Sequence, residues 1–446
     1  EAVFLRWEGR CSNCGEWGTL EEQQDLSDSK SVAGGSVDLK SVSLISADKI
    51  ASAKSAKKEQ RLDSGSKELN RVLGGGGLSG SVTLISGEPG VGKSTLLTQL
   101  AINIASKGKV LYVSGEESPK QFLVRVKRLL KKKGGSTAKT LQNIFVTGEI
   151  QVERIDALIA EEKPLVVIVD SIQSVMSSVS KSYPGSISQV RVCGSILTRR
   201  AKVSNIPVFI VGQINKEGVI AGPKVLEHTV DCVLYLEGGE FEVFRVMRCI
   251  KNRFGATNEI GVFEMTSDGF HDVSNPSEIF LGGESDSPGS CTSALITGSR
   301  VVFINVQALV VDHGASPGPL RRVSNGINRS KLEMLCAVMA KHGKVFLSDK
   351  DIFLNVSGGF KVDSPSIDLA ICKAIKSAVR EEVVPSKSFY IGEVGLTGKV
   401  TPFYGIESIF KEAKRLGYKE AYSPALKSHL EIPSLKVISL KGVTSL

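Results

Sequence analysis

The sequence predicts an α/β fold built on a largely parallel sheet with helices on both faces, and three observations carry that prediction. Strand-like apolar runs alternate with helical runs from Arg61 to about Ser274. One of them, SVTLISG, leads directly into Gly87-Glu88-Pro89-Gly90-Val91-Gly92-Lys93-Ser94, a match to GxxxxGK[ST], with a helical run behind it. Another, LVVIVD, is an unbroken apolar stretch ending in Asp170, as expected of a strand buried on both faces.

The chain has 446 residues, and at about 100 to 200 residues per domain this allows two to four domains. Hydrophobic residues make up 41% and charged residues 23%, which excludes wholesale disorder and a fibrous repeat. No stretch reaches about 18 uncharged apolar residues, so no membrane partner is expected. Lysine plus arginine number 56 against 47 acids, a balance of +9 that suits a polyanionic partner or simple solubility. Of the eight cysteines only Cys11 and Cys14 lie close together, which argues against a disulfide framework and for a reducing compartment. The first residue is Glu1 and no charged-then-apolar leader follows, so the chain reads as a processed or trimmed product.

In chain order, residues 1–24 hold a CSNCGEWG patch, and residues 25–60, rich in Ser, Lys, Asp and Ala, read as a linker. Residues 61–280 hold the α/β unit, with strands expected at 81–87, 109–115, 143–148, 165–170, 207–212 and 231–238. A Gly- and Ser-rich break, GGESDSPGS, separates it from residues 291–446. There the strand-like RVVFINVQALV mixes with amphipathic runs SKLEMLCAVMAKH and IDLAICKAIKSAV, which reads as a separate α+β domain.

The glycine-rich loop explains itself chemically. Gly87, Gly90 and Gly92 let backbone N–H groups curl around phosphates at a helix N-terminus, with Glu88, Pro89, Val91 and Thr95 completing the segment. Lys93 supplies charge to the β and γ phosphates and Ser94 offers a hydroxyl to Mg²⁺. Asp170 is the expected carboxylate of the metal shell, although a strand-ending Asp also serves as a plain helix cap. Hydrolysis needs a group to orient the attacking water. The run KVLYVSG ends in Glu116-Glu117, so Glu116 is the candidate base; the alternative is an acidic turn.

The segments LNRVLGGGGLSGSVTLISGEPGVGKSTLL, YVSGEES, VIVDSIQ, PGSISQVR, KEGVIAGPKVLEHTVD and KNRFG closely resemble the RadA (Sms) family, through nearly the whole chain. The resemblance implies a RecA-like P-loop ATPase core, ATP and Mg²⁺ as cofactors, single-stranded and branched DNA as substrate, branch migration of recombination intermediates, a RecA-type recombinase as partner and a homo-hexameric ring. It gives Gln213 the role of γ-phosphate sensor, at a position where many members carry His. Lys251 and Arg253, lying beyond the core strands, would reach a neighbouring subunit's nucleotide; on its own KNRFG reads as a basic turn. The family compartment would be cytoplasm or nucleoid in a bacterium, mitochondrion or chloroplast in a eukaryote.

The resemblance also makes Cys11 and Cys14 half of a four-thiolate Zn²⁺ finger whose other pair precedes Glu1, so the chain reads as cut inside that finger. The remaining cysteines, Cys193, Cys232, Cys249, Cys291, Cys336 and Cys372, are expected in the core. Arg125, Lys127, Arg128, Lys131, Lys132 and Lys133 read as a solvated helix face or a DNA contact. Ring topology favours mobile loops at Met176–Gln189 and Lys216–Lys224 for DNA, with phosphate contacts dominating because Tyr183 is the lone aromatic there.

The tail resembles the Lon proteolytic fold. Ser366, in Asp363-Ser364-Pro365-Ser366, occupies the nucleophile position, whereas Glu407 falls where the lysine base should be, and Lys399 and Lys411 would need a register shift. The tail is therefore expected to be proteolytically inactive, holding the ring together and presenting Arg321, Arg322, Arg329 and Lys331 to DNA. The rival readings are an ATP-dependent Lon-type protease and a KaiC-like signalling ATPase.

Overall fold

The structure is a computed structural model and describes residues 61–130, 137–213, 221–238, 243–281, 287–314, 318–357, 362–426 and 432–446. Cys11, Cys14, the linker and Lys131 to Lys133 lie outside the described residues. Gln60–Leu446 forms one compact unit.

A small ribbon opens it, β1 (Arg61–Leu62) pairing with β2 (Gly77–Leu78) across helix α1 (Lys67–Leu73). Ser66 caps α1 by accepting from the Leu69 N–H, and Gly74 ends it in a left-handed turn. There follow β3 (Val82–Gly87), α2 (Lys93–Ala105), β4 (Val110–Ser114), α3 (Pro119–Leu130), α4 (Thr137–Gln142), β5 (Ile144–Thr147), α5 (Val152–Glu162) and β6 (Val166–Asp170). Next come α6 (Ile187–Ser204), β7 (Val208–Gln213), α7 (Ala221–Glu227), β8 (Cys232–Glu237), β9 (Phe244–Asn252), β10 (Ile260–Thr266) and β11 (Gly269–Asp272).

Among the described residues these strands make one nine-stranded sheet, in the order β11-β10-β9-β8-β3-β7-β6-β4-β5. From β8 to β5 all neighbours are parallel; β9, β10 and β11 extend the sheet antiparallel. Alternation along each strand splits the core between the two faces. Val110, Tyr112, Val166 and Ile168 pack against α2 and α3, whereas Leu111, Val113, Val167 and Val169 pack against α5 and α6. The six strands expected from the apolar runs are present within a residue or so of their expected ends.

KNRFG is in part the expected turn: Arg253, Phe254 and Gly255 form a bend, whereas Lys251 and Asn252 still belong to a strand. Lys251 and Asn252 are the last residues of β9, with Lys251 opposite Val233 on β8. A lysine at this strand end is tolerated because the Lys251 ammonium donates to the Glu227 carbonyl at the end of α7 and to the Val230 carbonyl beyond it.

The tail adds α8 (Pro276–Leu281), β12 (Ser290–Thr297), β13 (Arg300–Asp312), β14 (Arg322–Asn325), α9 (Arg329–Lys341), β15 (Lys350–Val356), α10 (Asp368–Arg380), β16 (Ser388–Tyr390), β17 (Glu393–Val394), β18 (Val400–Thr401), α11 (Ile406–Arg415), β19 (Glu420–Pro424) and β20 (Lys436–Leu440). Its sheets run β12-β13-β15-β14, β16-β19-β20 and β17-β18. Val246, Ile260 and Val262 of the large sheet share a core with Leu332, Leu335, Ile371 and Ile375 of the tail. A buried ion pair reinforces that seam. Glu68 of α1, 2% exposed, accepts from both terminal nitrogens of Arg300 at 3.0 and 3.1 Å and from the Val262 N–H at 3.0 Å. The six cysteines of residues 193–372 are buried free thiols, as expected.

Candidate active site

Strand register decides which residues meet. Gly87 ends β3 beside Gln213 at the end of β7, and Ser114 ends β4 beside Asp170 at the end of β6. All four termini lie at the carboxyl edge of the parallel sheet, where ligands bind in folds of this class.

At that edge the phosphate loop turns from β3 into α2. Gly87 has φ of +154°, and a Cβ there would sit 2.4 Å from the Leu236 carbonyl oxygen of β8. Gly92 caps α2 at φ of +107°, where a Cβ would meet the Phe270 ring at 2.8 Å. No side chain caps α2, which leaves its first N–H groups and the positive end of its dipole facing the loop. The Lys93 ammonium, 6% exposed, donates to the Gly87 and Glu88 carbonyls at 2.9 and 2.7 Å. Burial pulls its pKa down, opposed by Asp170, Glu116 and Glu88 nearby.

Glu116, exposed at the end of β4, is bound from two sides. Ser171 Oγ donates to its Oε1 at 2.5 Å, and the Gln213 side-chain amide donates at 2.9 and 3.2 Å. Ser94, Asp170, Glu116 and Gln213 thus converge on the loop that holds Lys93. The donor set facing the loop is all oxygen, a hydroxyl from Ser94 and a carboxylate from Asp170, which fits a hard cation such as Mg²⁺ that retains several waters.

Arg253 and Lys251 are not brought there. Lys251 and Asn252 flank the start of β8, which lies beside Thr83 near the start of β3. Lys251 lies in the row of Val233 and Leu84 and Asn252 in that of Cys232 and Thr83; at about 3.3 Å per residue, the three to four steps from there to Gly87 put them roughly 10 to 13 Å from the phosphate loop along the sheet. Arg253 pairs instead with Asp231, whose other oxygen accepts from the Val82 N–H.

Sequence reasoning missed two groups at this site. Arg125, read as part of a solvated helix face or a DNA contact, is 11% exposed and held under the Asp170 carboxylate; Tyr112, on β4, is fully buried and donates to Asp170 Oδ2 at 2.7 Å. The period-2 reading of β4 could have placed Tyr112 on the Asp170 face, since a buried phenol needs a partner.

Of the two segments expected to face DNA, the first is organised around one side chain. Gln189 is buried, accepts from the Ser177 N–H and donates to the Ser177, Ser180 and Ser182 carbonyls, folding residues 177–189 around one amide. Of 216–224, residues 221–224 begin α7 and the rest lie outside the described residues. In the tail, Lys331 forms an ion pair with Asp368 at 2.6 Å, Arg322 donates to the Arg321, Leu347 and Lys350 carbonyls, and Arg329 pairs with Glu333. Arg321 stands exposed. Ser366 Oγ, buried, donates to the Ala294 carbonyl at 3.0 Å and lies 2.9 Å from Ser364 Oγ, while Glu407, Lys399 and Lys411 are exposed on other elements. Among the described residues no helix is long and apolar enough to cross a membrane.

Comparison with known proteins adds the decisive finding. The DNA repair protein RadA of Pseudomonas aeruginosa is 42% identical across 98% of this chain and 94% of its own length. The chain belongs to the RadA family. RadA of Bacillus subtilis is 43% identical over 94% of this chain and 90% of its own, and RadA of Aquifex aeolicus 40% identical over 98% and 94%. Within this RadA-family chain, residues 51–219 match the family described as AAA domain, and residues 325–426 match that described as Subunit ChlI of Mg-chelatase. A solved structure described as the crystal structure of the RadB recombinase covers 48% of this chain and 100% of its own, with a TM-score of 0.39 and 24% identity.

Proposed function

We propose that this chain is an ATP-driven DNA motor of the RadA type that binds single-stranded DNA and promotes branch migration of recombination intermediates. The coarser reading, a DNA repair P-loop ATPase, follows from membership of the family. One observation carries the finer one. Gln213, the last residue of β7 before the segment expected to face DNA, donates to Glu116, the candidate base. A group that touches the base and heads the DNA-facing segment can make turnover depend on DNA, because moving either end changes the hydrogen bond.

In this reading Lys93 and the α2 N-terminus hold the phosphates of ATP, Ser94 and Asp170 hold Mg²⁺, which neutralises charge on those phosphates, and Glu116 orients the attacking water. Lys251 and Arg253 serve the neighbour's nucleotide. Their distance from the chain's own loop supports a closed ring, proposed as a homo-hexamer, with a RecA-type recombinase as partner. The tail is proposed as a proteolytically inactive Lon-like domain, in keeping with a Ser366 hydroxyl bonded to a carbonyl rather than to a base.

The test is a branch-migration assay on a synthetic three-stranded junction with ATP. Strand products should form with the chain and fail with Lys93→Ala. Nucleotide turnover without any strand exchange would restrict the chain to an ATPase without motor function, and peptide release lost in Ser366→Ala would turn the reading toward the protease.

A further inference from the structure

A partly buried chain of hydrogen bonds connects three corners of the site. Thr98, one turn along α2 from Ser94, donates its hydroxyl hydrogen to the Ser94 carbonyl at 2.7 Å. Arg125 Nε donates to that same Thr98 oxygen at 2.9 Å. The guanidinium then forks, one terminal nitrogen reaching Glu117 Oε1 at 2.5 Å and the other the Tyr112 hydroxyl at 3.4 Å and Asp170 Oδ2 at 3.9 Å. Tyr112 donates its own hydroxyl hydrogen bond to Asp170 Oδ2 at 2.7 Å. The relay therefore touches the backbone of Ser94, the carboxylate of Asp170 and the neighbour of Glu116.

We propose that Tyr112 and Arg125 are positioning residues that fix the Asp170 carboxylate for a divalent cation and lock it to the phosphate loop. The inference rests on the proposed nucleotide and Mg²⁺ site and adds the groups that align it.

The chemistry of each position supports this. Tyr112 packs on Phe122 with ring centroids 4.4 Å apart, so phenylalanine would fill the core equally well, and the hydroxyl is what phenylalanine lacks. Pinned through Oδ2, Asp170 has its orientation set before a cation arrives, and Oδ1 is left for it. Arginine suits the hub because its planar fork serves Thr98, Glu117 and Tyr112 at once, which a lysine ammonium cannot do in one plane.

Groups behind a metal's ligands commonly alter metal affinity by 10- to 100-fold. The experiment titrates a fluorescent ATP analogue into the full chain, first in EDTA and then against Mg²⁺, for wild type, Tyr112→Phe, Arg125→Gln and Arg125→Lys, with thermal melting of each. Tyr112→Phe should weaken the Mg²⁺ midpoint by about 10-fold while nucleotide affinity in EDTA stays within about twofold. Arg125→Gln should do the same, with partial recovery in Arg125→Lys. If wild type itself shows no Mg²⁺-dependent nucleotide binding, the nucleotide-site reading fails. If wild type does and Tyr112→Phe matches it, or if the variants lose melting temperature with an unchanged Mg²⁺ midpoint, the positioning role is overturned.

Discussion

Single residues carry the chemistry, and Lys93 is the most exacting of them. Its buried ammonium is held by two loop carbonyls, so Lys93→Ala removes charge from the phosphate loop without opening the hydrophobic core. Turnover should fall by more than about 100-fold with the melting temperature nearly unchanged; hydrolysis at the wild-type rate would remove the loop from the account. Asp368 gives a pH test. Burial pushes its carboxyl up to about 6 even with Lys331 beside it. A raised folded-state value means that the folded chain holds this proton more tightly than the unfolded one. Its stabilisation is full below about pH 4 and is lost as pH rises through about 6. Lys331→Met takes away the opposing charge, so the variant should lose about 3 kcal/mol near pH 8 and much less near pH 5 in denaturant melts. Equal losses at both pH values would contradict the buried pairing. At this scale the sequence was legible wherever a motif states its own geometry, as the glycine loop does. It was illegible for Arg125, because six cations in nine residues look like a solvated face, and only the packing of α3 on α2 shows that one of them turns inward.

Elements decide where those residues meet. The strands β3, β4, β6 and β7 were legible because each is an apolar run too short for a helix and bounded by glycine or polar residues. The antiparallel extension through β9, β10 and β11 was not, since β9 mixes Arg245, Arg248 and Lys251 with apolar residues and its cations are satisfied by groups distant in sequence. Arg248 pairs with Glu237 and Arg245 donates to the Val91 carbonyl. The segment before α6 shows the same limit: serine and glycine content reads as mobility, yet one buried amide organises it. Gln189→Ala strips three carbonyls and one N–H of their partner, which should cost about 2 kcal/mol locally. Limited proteolysis should then cut between Ser178 and Ser186 faster than in wild type, with the melting temperature of the core little changed. An unchanged cleavage pattern would mean that Gln189 does not hold the segment.

At the scale of the molecule, the two halves of Gln60–Leu446 are bound through Glu68 and Arg300 as well as through shared apolar packing. Arg300→Ala leaves the buried Glu68 with only Arg71 at 3.5 Å and the Val262 N–H as partners and should destabilise the chain by about 3 kcal/mol, read by chemical denaturation; a loss within about 0.5 kcal/mol would make the pair a surface contact in effect. This seam was not legible, because nothing in a glutamate of α1 announces a partner 232 residues away. Assembly supplies the other test. Arg253→Ala and Lys93→Ala chains should each be slow alone and recover activity when mixed, since one supplies the phosphate loop and the other the trans cation. Recovery absent at every mixing ratio would contradict action between subunits. The central claim, that ATP turnover serves work on DNA, is tested most directly by measuring turnover with increasing single-stranded DNA at several salt concentrations. The account predicts stimulation by DNA that weakens steeply as salt rises and disappears in Lys93→Ala; turnover indifferent to DNA at every salt concentration would contradict it.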